Sequence, residues 1–424
     1  MPKTIQFTCL PGNRYATSKS QELYLYAELK GIEAAPKEGR QPLNISLVID
    51  RSGSMRGDKI AYVKEAVKFI IQNLKPEDYL SIIIYDTLVE LLVPAAPVSN
   101  KTHLVQLVDT ITARNMTNLS GGMLEGYKQV ESGPKEGYVN RVLLLTDGLA
   151  NRGITHPEQL QMLAEKHFRE KGIGLSTFGV GADFNESLLT NLSEYGGANY
   201  YFIDSSDKIP EIFAEELKGL LAVVAQNTEL QIHFDSEQLK ALKVYGFPAT
   251  IEAGQVRIAF NDIHSLEEKA ILLALQSSNI QTDLHYQAEL SYTDVIESME
   301  PVTQKESVEV KLMQEAKDME GGVETKAFEN ITLFLATDYY ERAVEALNVR
   351  DMDKAKALSN KALGYIELYT GSYGWTPELK TLNERITAFM DRIKDYRNMS
   401  DFEQRHHIKT SSYHAYLSRK KKPF

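Results

Sequence analysis

Apolar residues follow two rhythms along this chain, and the change of rhythm divides it. Leu43, Ile45, Leu47, Val48 and Ile49 run into Asp50 and then into Arg51-Ser52-Gly53-Ser54. A short apolar run closed by polar turn residues predicts a buried strand over 43–50. Ile60, Val63, Ala66, Val67, Ile70 and Ile71 then recur on one helical stripe, with Pro76 just past its end at Leu74. The pattern predicts further strands at Tyr79–Tyr85 and Leu88–Val93, the latter an edge or hairpin strand stopped by Pro94. It predicts helices at 102–113 and 121–131, a strand at 139–146, a helix at 157–171, a strand at 173–180, a helix at 184–194, a strand at 199–203 and a helix at 209–224. Strands alternating with helices imply a parallel sheet covered on both faces, because each parallel crossover is long enough to hold a helix. Residues 40–225 are therefore expected to form one doubly wound α/β domain.

After Ala225 the runs become short and partly alternating: 229–234, 240–247, 255–260, 270–276, 286–292 and 307–312. That spacing suits an antiparallel sandwich. Glu22–Leu29 alternates too, with Leu23, Leu25, Ala27 and Leu29 on one face. A lone strand forms no sheet, so it is expected to join the later ones. Residues 1–39 and 226–318 then make a discontinuous β-sandwich module into which the α/β domain is inserted. Residues 319–398 read as a helical bundle. Ala343–Leu363 faintly resembles a single tetratricopeptide-like helix pair, too little for a repeat array. Residues 399–424 read as a basic flexible tail, since 404–424 hold six Lys/Arg and no acid.

The 424 residues carry 47 Lys+Arg against 58 Asp+Glu, a net charge of −11. This balance disfavours nucleic acid, whose phosphates need clustered cations. Without the tail, 41 basic residues face 58 acidic ones. The single cysteine, Cys9, excludes an intrachain disulfide and a multi-cysteine zinc site, and a lone thiol fits a reducing compartment. Met1–Ser20 lacks the apolar core of a signal peptide, and no run approaches 18 apolar residues. The expectation is a cytoplasmic protein with no membrane span.

Three loops of the α/β domain are rich in oxygen donors: Asp50-Arg51-Ser52-Gly53-Ser54, Asn115 to Gly122, and Thr146-Asp147-Gly148. The first and third follow strand ends. Ligands of open α/β sheets bind at the carboxyl ends of strands, so these loops can converge on one crevice. Hydroxyls and carboxylates without His or Cys suit Mg²⁺, Mn²⁺ or Ca²⁺ and suit zinc or copper poorly. A cation held mainly by neutral hydroxyls keeps much of its charge and attracts a carboxylate from a partner. Each element also has a plainer reading, Ser52 and Thr117 as helix caps and Asp147-Gly148 as a turn.

At these residues the chain resembles the von Willebrand factor type A (VWA) domains. Asp50, Ser52 and Ser54 match the Asp-x-Ser-x-Ser motif of their metal-ion-dependent adhesion site, Thr117 the second-loop threonine and Asp147 the third-loop aspartate. The resemblance covers about residues 43–224 in element order. The flanking strands and the Thr-Asn-Leu loop look most like bacterial VWA proteins and the inter-alpha-trypsin inhibitor heavy-chain group. It implies a Rossmann-like α/β fold and a metal, Mg²⁺ with Mn²⁺ or Ca²⁺ as alternatives. Ser52, Ser54 and Thr117 would bind it through hydroxyls, and Asp50 and Asp147 directly or through water.

Enzyme motifs are missing. An aspartate-nucleophile phosphatase wants a second acid two residues on, where Ser52 stands. Ser54 lacks the Gly-x-Ser-x-Gly context, there is no P-loop, and Gly179-Val180-Gly181 is only a fragment of a dinucleotide fingerprint. His406-His407 could bind metal but reads better as a solvated pair in a polar tail, Arg51 and Arg56 read equally as contacts for an acidic partner or as solvent-exposed loop charges, and Asp86 reads as a support or turn residue. The hydroxyls of Lys409–Tyr413 could take phosphate, with an unstructured tail as the plainer reading. The expected function is a non-enzymatic adaptor that captures a partner's Asp or Glu through the metal. The alternative is a VWA subunit of an ATPase-driven chelatase or remodelling complex. A kinase, a phosphatase or an AAA+ ATPase are the partner classes considered.

Overall fold

A computed structural model describes residues 3–33, 41–114, 116–134, 137–148, 150–181, 184–260, 262–278, 280–296, 300–314 and 321–420. The chain divides into two compact units, Glu33–Asn227 and the pair of segments Met1–Ile32 and Thr228–Phe424. The first segment supplies β1 (Ile5–Pro11), β2 (Tyr15–Thr17) and β3 (Glu22–Gly31).

The inserted unit holds β4 (Leu43–Asp50), α1 (Asp58–Asn73), β5 (Tyr79–Tyr85), β6 (Val89–Pro97), α2 (Lys101–Asp109), α3 (Leu119–Ser132), β7 (Val139–Thr146), α4 (Pro157–Lys171), β8 (Gly174–Val180), α5 (Glu186–Tyr195), β9 (Tyr200–Ile203) and α6 (Ile209–Leu221). Its sheet has the order β6-β5-β4-β7-β8-β9. All neighbours pair in parallel except β5 and β6, which form an antiparallel edge. All eight residues of β4 and all seven of β8 are buried, as expected of strands with helices on both faces. The helix ends follow local chemistry. Asn118 caps α3 by accepting from the Gly121 N–H at 3.1 Å. Pro157 opens α4, and Gly172 closes it at φ 64°.

Several boundaries differ from the pattern reading, among them the end of α2 at Asp109 where 113 was expected. β6 continues through Pro94 to Pro97, which an edge strand tolerates because one row of its backbone groups needs no partner. α6 ends at Leu221, because Val223 begins a long strand, β10 (Val223–His233).

That strand leads into β11 (Leu239–Tyr245), β12 (Thr250–Glu252), β13 (Gln255–Ala259), β14 (Ile263–His264), β15 (Glu268–Ser277), β16 (Leu284–Asp294) and β17 (Pro301–Met313). One sheet runs β1-β3-β15-β11 and the other β12-β13-β10-β16-β17-β2, with β14 beside β10. β3 pairs with β15 from Glu22–Gln276 to Lys30–Glu268, so the early strand does complete a sheet made later in the chain. β1 and β2 were absent from the pattern reading. β1 pairs antiparallel with β3, and β2 adds only three residues alongside β17.

Four helices follow, α7 (Thr325–Asn348), α8 (Met352–Tyr373), α9 (Pro377–Asp395) and α10 (Asp401–Arg419). Ala327, Ile331, Phe334 and Leu335 of α7 bury Tyr26, Ala270 and Leu272 of the first sheet. Consecutive residues Leu25 to Leu29 of β3 are all buried, so both of its faces are covered. The expected basic flexible tail over 399–424 is corrected, because 401–419 are the helix α10. Ser400 and Glu403 close a reciprocal cap at its start, and His407, Ile408, Ser411, Ala415 and Tyr416 form its buried stripe. His407 is thus buried beside Phe389 and Tyr396, not solvated. Ser411 of the expected hydroxyl cluster is buried as well. Lys420 donates to the Gly246 carbonyl at 2.9 Å and stands over the Phe247 ring. Lys421 and Lys422 lie outside the described residues.

Candidate metal centre

The carboxyl end of β4 delivers Asp50 into a fully buried position. The chain turns at once, and the Ser52 N–H donates to Asp50 Oδ1 at 2.8 Å. A single 3₁₀ turn, Gly53–Met55, follows, with the Met55 side chain buried as its anchor. The turn brings Ser52 Oγ and Ser54 Oγ to 3.0 Å of each other. Ser52 is buried and Ser54 is exposed, so the pair reaches from the interior to the surface.

β7 lies beside β4 in parallel, with Leu145 opposite Ile49. Their loops therefore leave the same edge of the sheet. Thr146 Oγ1 donates to Asp50 Oδ2 at 2.6 Å and accepts from the Gly148 N–H at 2.9 Å. Gly148 takes φ 70°, a left-handed conformation that favours glycine. Asp147 is fully buried between them. Its Oδ2 faces Lys59 Nζ of α1 at 3.2 Å, while its Oδ1 accepts no hydrogen bond from the described residues. An unpaired buried carboxylate oxygen is costly and calls for a donor or a cation.

Thr117, also buried, stands in the second loop. Its N–H donates to Asn151 Oδ1 at 2.8 Å, and its carbonyl accepts from the Asn151 and Arg152 N–H groups at 3.2 and 3.1 Å. These bonds tie the second loop to the continuation of the third. Asn115, the first residue of that loop as read from sequence, lies outside the described residues.

A charged frame fixes the first two loops together. Arg51 is buried, which corrects its reading as a loop charge. Its Nε sits 2.9 Å from Asp86 Oδ2, and its guanidinium also pairs with Glu90. Arg114 reaches the same two acids at 3.1 and 2.7 Å. The backbone repeats the link, with Arg114 N–H donating to the Arg51 carbonyl at 2.6 Å and Asn118 N–H to the Asp86 carbonyl at 2.8 Å. Burial alone would raise the Asp86 carboxyl. The Leu88 N–H, Arg114 and Arg51 outweigh it and hold the group below the usual range. Asp86 therefore holds the loops in place from behind. Arg56 is exposed, as are Met116 and Leu88.

The centre itself is short of positive charge. Burial pushes Asp50 up to about 6, hydrogen bonds from Thr146 and Ser52 pull against this, and the neighbouring Asp147 carboxylate adds to the rise. Among the described residues, no three His, Cys, Asp or Glu side chains gather as a metal-ligand group. A cation here would draw on hydroxyls as much as on carboxylates, which is the hard-oxygen chemistry of Mg²⁺. Paired serine hydroxyls, two buried carboxylates and an oxygen without a partner fit such an ion.

The structure thus brings Asp50, Ser52, Ser54 and Asp147 to the carboxyl ends of the neighbouring strands β4 and β7 and fixes Thr117 in the adjoining loop. Sequence reasoning missed the roles of Thr146, Lys59, Arg114 and Asn151. Thr146 had one available signal, a hydroxyl at the end of a strand parallel to the one carrying Asp50. Lys59 had none, since a lysine in a helix's first turn is ordinarily solvated.

Residues 44–215 match the family model described as the von Willebrand factor type A domain. The chain is 30% identical over 217 residues to the uncharacterized protein YfbK of Escherichia coli (strain K12), an alignment covering 51% of this chain and 37% of that protein. It is 30% identical over 231 residues to inter-alpha-trypsin inhibitor heavy chain H3 of Rattus norvegicus, covering 51% and 25%. The chain therefore spans well under half the length of either relative. Among solved structures, a von Willebrand factor type A protein from Catenulispora acidiphila aligns over 96% of both chains with a TM-score of 0.73 at 12% identity. The ArnB paralog VWA2 from Sulfolobus acidocaldarius aligns over 97% of this chain and 99% of its own, with a TM-score of 0.64 at 16% identity. At such identities the likeness is one of fold.

Proposed function

We propose that the von Willebrand factor type A domain formed by residues 44–215 makes this chain a metal-dependent, non-enzymatic adaptor for a protein partner. Asp50, Ser52, Ser54, Thr117 and Asp147 would hold the ion, Mg²⁺ in the first place. When bound, it supplies a position at which a partner's Asp or Glu carboxylate completes the coordination shell. The observation that carries this reading is the unpartnered, buried Oδ1 of Asp147 beside the Asp50–Ser52–Ser54 turn.

The chain's own residues do the rest. Thr146 and the Ser52 N–H fix both oxygens of Asp50, so its carboxylate is oriented before any ion arrives. Asp86 and Arg51 hold the first two loops at a fixed separation through side chain and backbone. Such rigidity lowers the ordering cost of capture. Exposed Ser54 lies at the mouth, and exposed Met116 adjoins Thr117, so an acidic residue flanked by apolar ones is the partner chemistry favoured.

The experiment is capture of partners by the full chain with Mg²⁺, with EDTA, and with the Asp50→Ala and Ser54→Ala variants. A partner recovered in Mg²⁺ and lost in the other three is the expected result. Equal recovery in all four overturns the metal-dependent mechanism.

A further inference from the structure

We infer that Lys59 is a tethered competitor for the divalent cation at Asp147, so that ion binding at this centre is an exchange. The inference rests on the metal-centre reading above and adds to it a residue that sets the strength of that site. Lys59 is the second residue of α1, and its side chain is largely covered. Its ammonium stands 3.2 Å from Asp147 Oδ2. The position is built into the surroundings. Gly181, just beyond β8, has φ 79°, and a Cβ there would come within 2.6 Å of Lys59 Cε. The lysine stem lies directly against this glycine.

The electrostatics follow. Asp50 and Asp147 are both fully buried, and together they bring two carboxylates close to each other at adjacent strand ends. Lys59 offsets part of this in the absence of an ion. A divalent cation that approaches Asp147 meets the ammonium as a like charge at close range, and repulsion between partly buried charges is only weakly screened. Either the lysine withdraws from the carboxylate or the ion binds against it. In both cases Lys59 weakens the resting affinity. An arriving carboxylate adds negative charge and tips the balance toward the ion, so metal and partner would bind cooperatively.

The test is calorimetric titration of the full chain with MgCl₂ and with MnCl₂, comparing wild type with Lys59→Met, Lys59→Gln and Lys59→Arg. Circular dichroism identifies the folded variants, and the Gln variant serves if the Met variant does not fold. We expect the neutral variants to bind at least about tenfold tighter, from the removal of a like charge at close range. They should also show a larger rise in Tm on adding the ion, while the Arg variant stays near wild type. Wild-type binding with unchanged or weaker affinity in the folded neutral variants overturns this inference alone. No binding by any of the four proteins overturns the metal-centre reading and this inference with it.

Discussion

Two buried carboxylates in the same α/β domain have been treated in opposite ways. Glu216, on α6, receives the Ser176 hydroxyl on one oxygen, and the Asn199 amide and Tyr201 hydroxyl on the other, at 3.1 and 2.9 Å. Asp147 has Lys59 on one oxygen and, among the described residues, no hydrogen-bond donor on the other. The first group closes its own hydrogen bonds and ties α6 to β8 and β9. The second keeps an open acceptor at the edge where ligands of such sheets bind. Burial alone therefore does not mark a functional acid. An incomplete set of partners at a strand end is the feature on which the metal-centre proposal rests.

The largest effect is expected at Glu216, whose hydrogen bonds are complete on both oxygens. Glu216→Ala leaves three polar groups around an empty space, and we expect it to cost about 3 kcal/mol of stability. Denaturant unfolding in EDTA checks this, and ion affinity in the folded fraction should be unchanged. Chelation of wild type comes next. An ion present at 100 times its Kd stabilises the fold by about 2.7 kcal/mol, so EDTA should lower the Tm accordingly, and should not do so in Asp147→Asn. The direct effect of Asp147→Asn on metal-free stability should be smaller, about 1 kcal/mol, as the partly exposed Lys59 loses the charge of its buried partner.

His407 sharpens the contrast from the other unit. It is buried against Phe389, and burial pushes its pKa down to about 4, with Arg392, His406 and His414 adding repulsion. The unfolded chain takes up this proton near pH 6.5 and the folded chain only near 4. The contribution is complete above about 6.5 and is lost as pH falls from there toward 4. The difference in unfolding free energy between wild type and His407→Phe should therefore change through that window and be flat above it. Taking the difference cancels groups common to both proteins.

Much of this was legible in the chain. The apolar runs ending at Asp50, Tyr85 and Thr146 mark their strands to the residue, because these central strands are almost wholly buried and stay mainly apolar despite Asn44, Ser81 and Arg141. The oxygen-rich loops were equally visible, since the turn after a strand carries its donors in sequence. Contacts between distant segments were not. Asp86 meets Arg51 and Arg114 across 35 and 28 positions of sequence, and no local pattern distinguishes that frame from solvated charge. α10 was hidden for another reason. Its buried stripe uses His407, Ser411 and Ala415, so its composition imitates a polar tail while its spacing is helical.

The most direct measurement is a Mn²⁺ titration of the full chain followed by electron paramagnetic resonance, wild type against Asp147→Asn. We expect one ion bound per wild-type chain and a binding signal lost in the variant while circular dichroism remains native. Absence of Mn²⁺ binding by the wild type, or binding of equal strength by the variant, would contradict the assignment of the open carboxylate oxygen as a metal ligand.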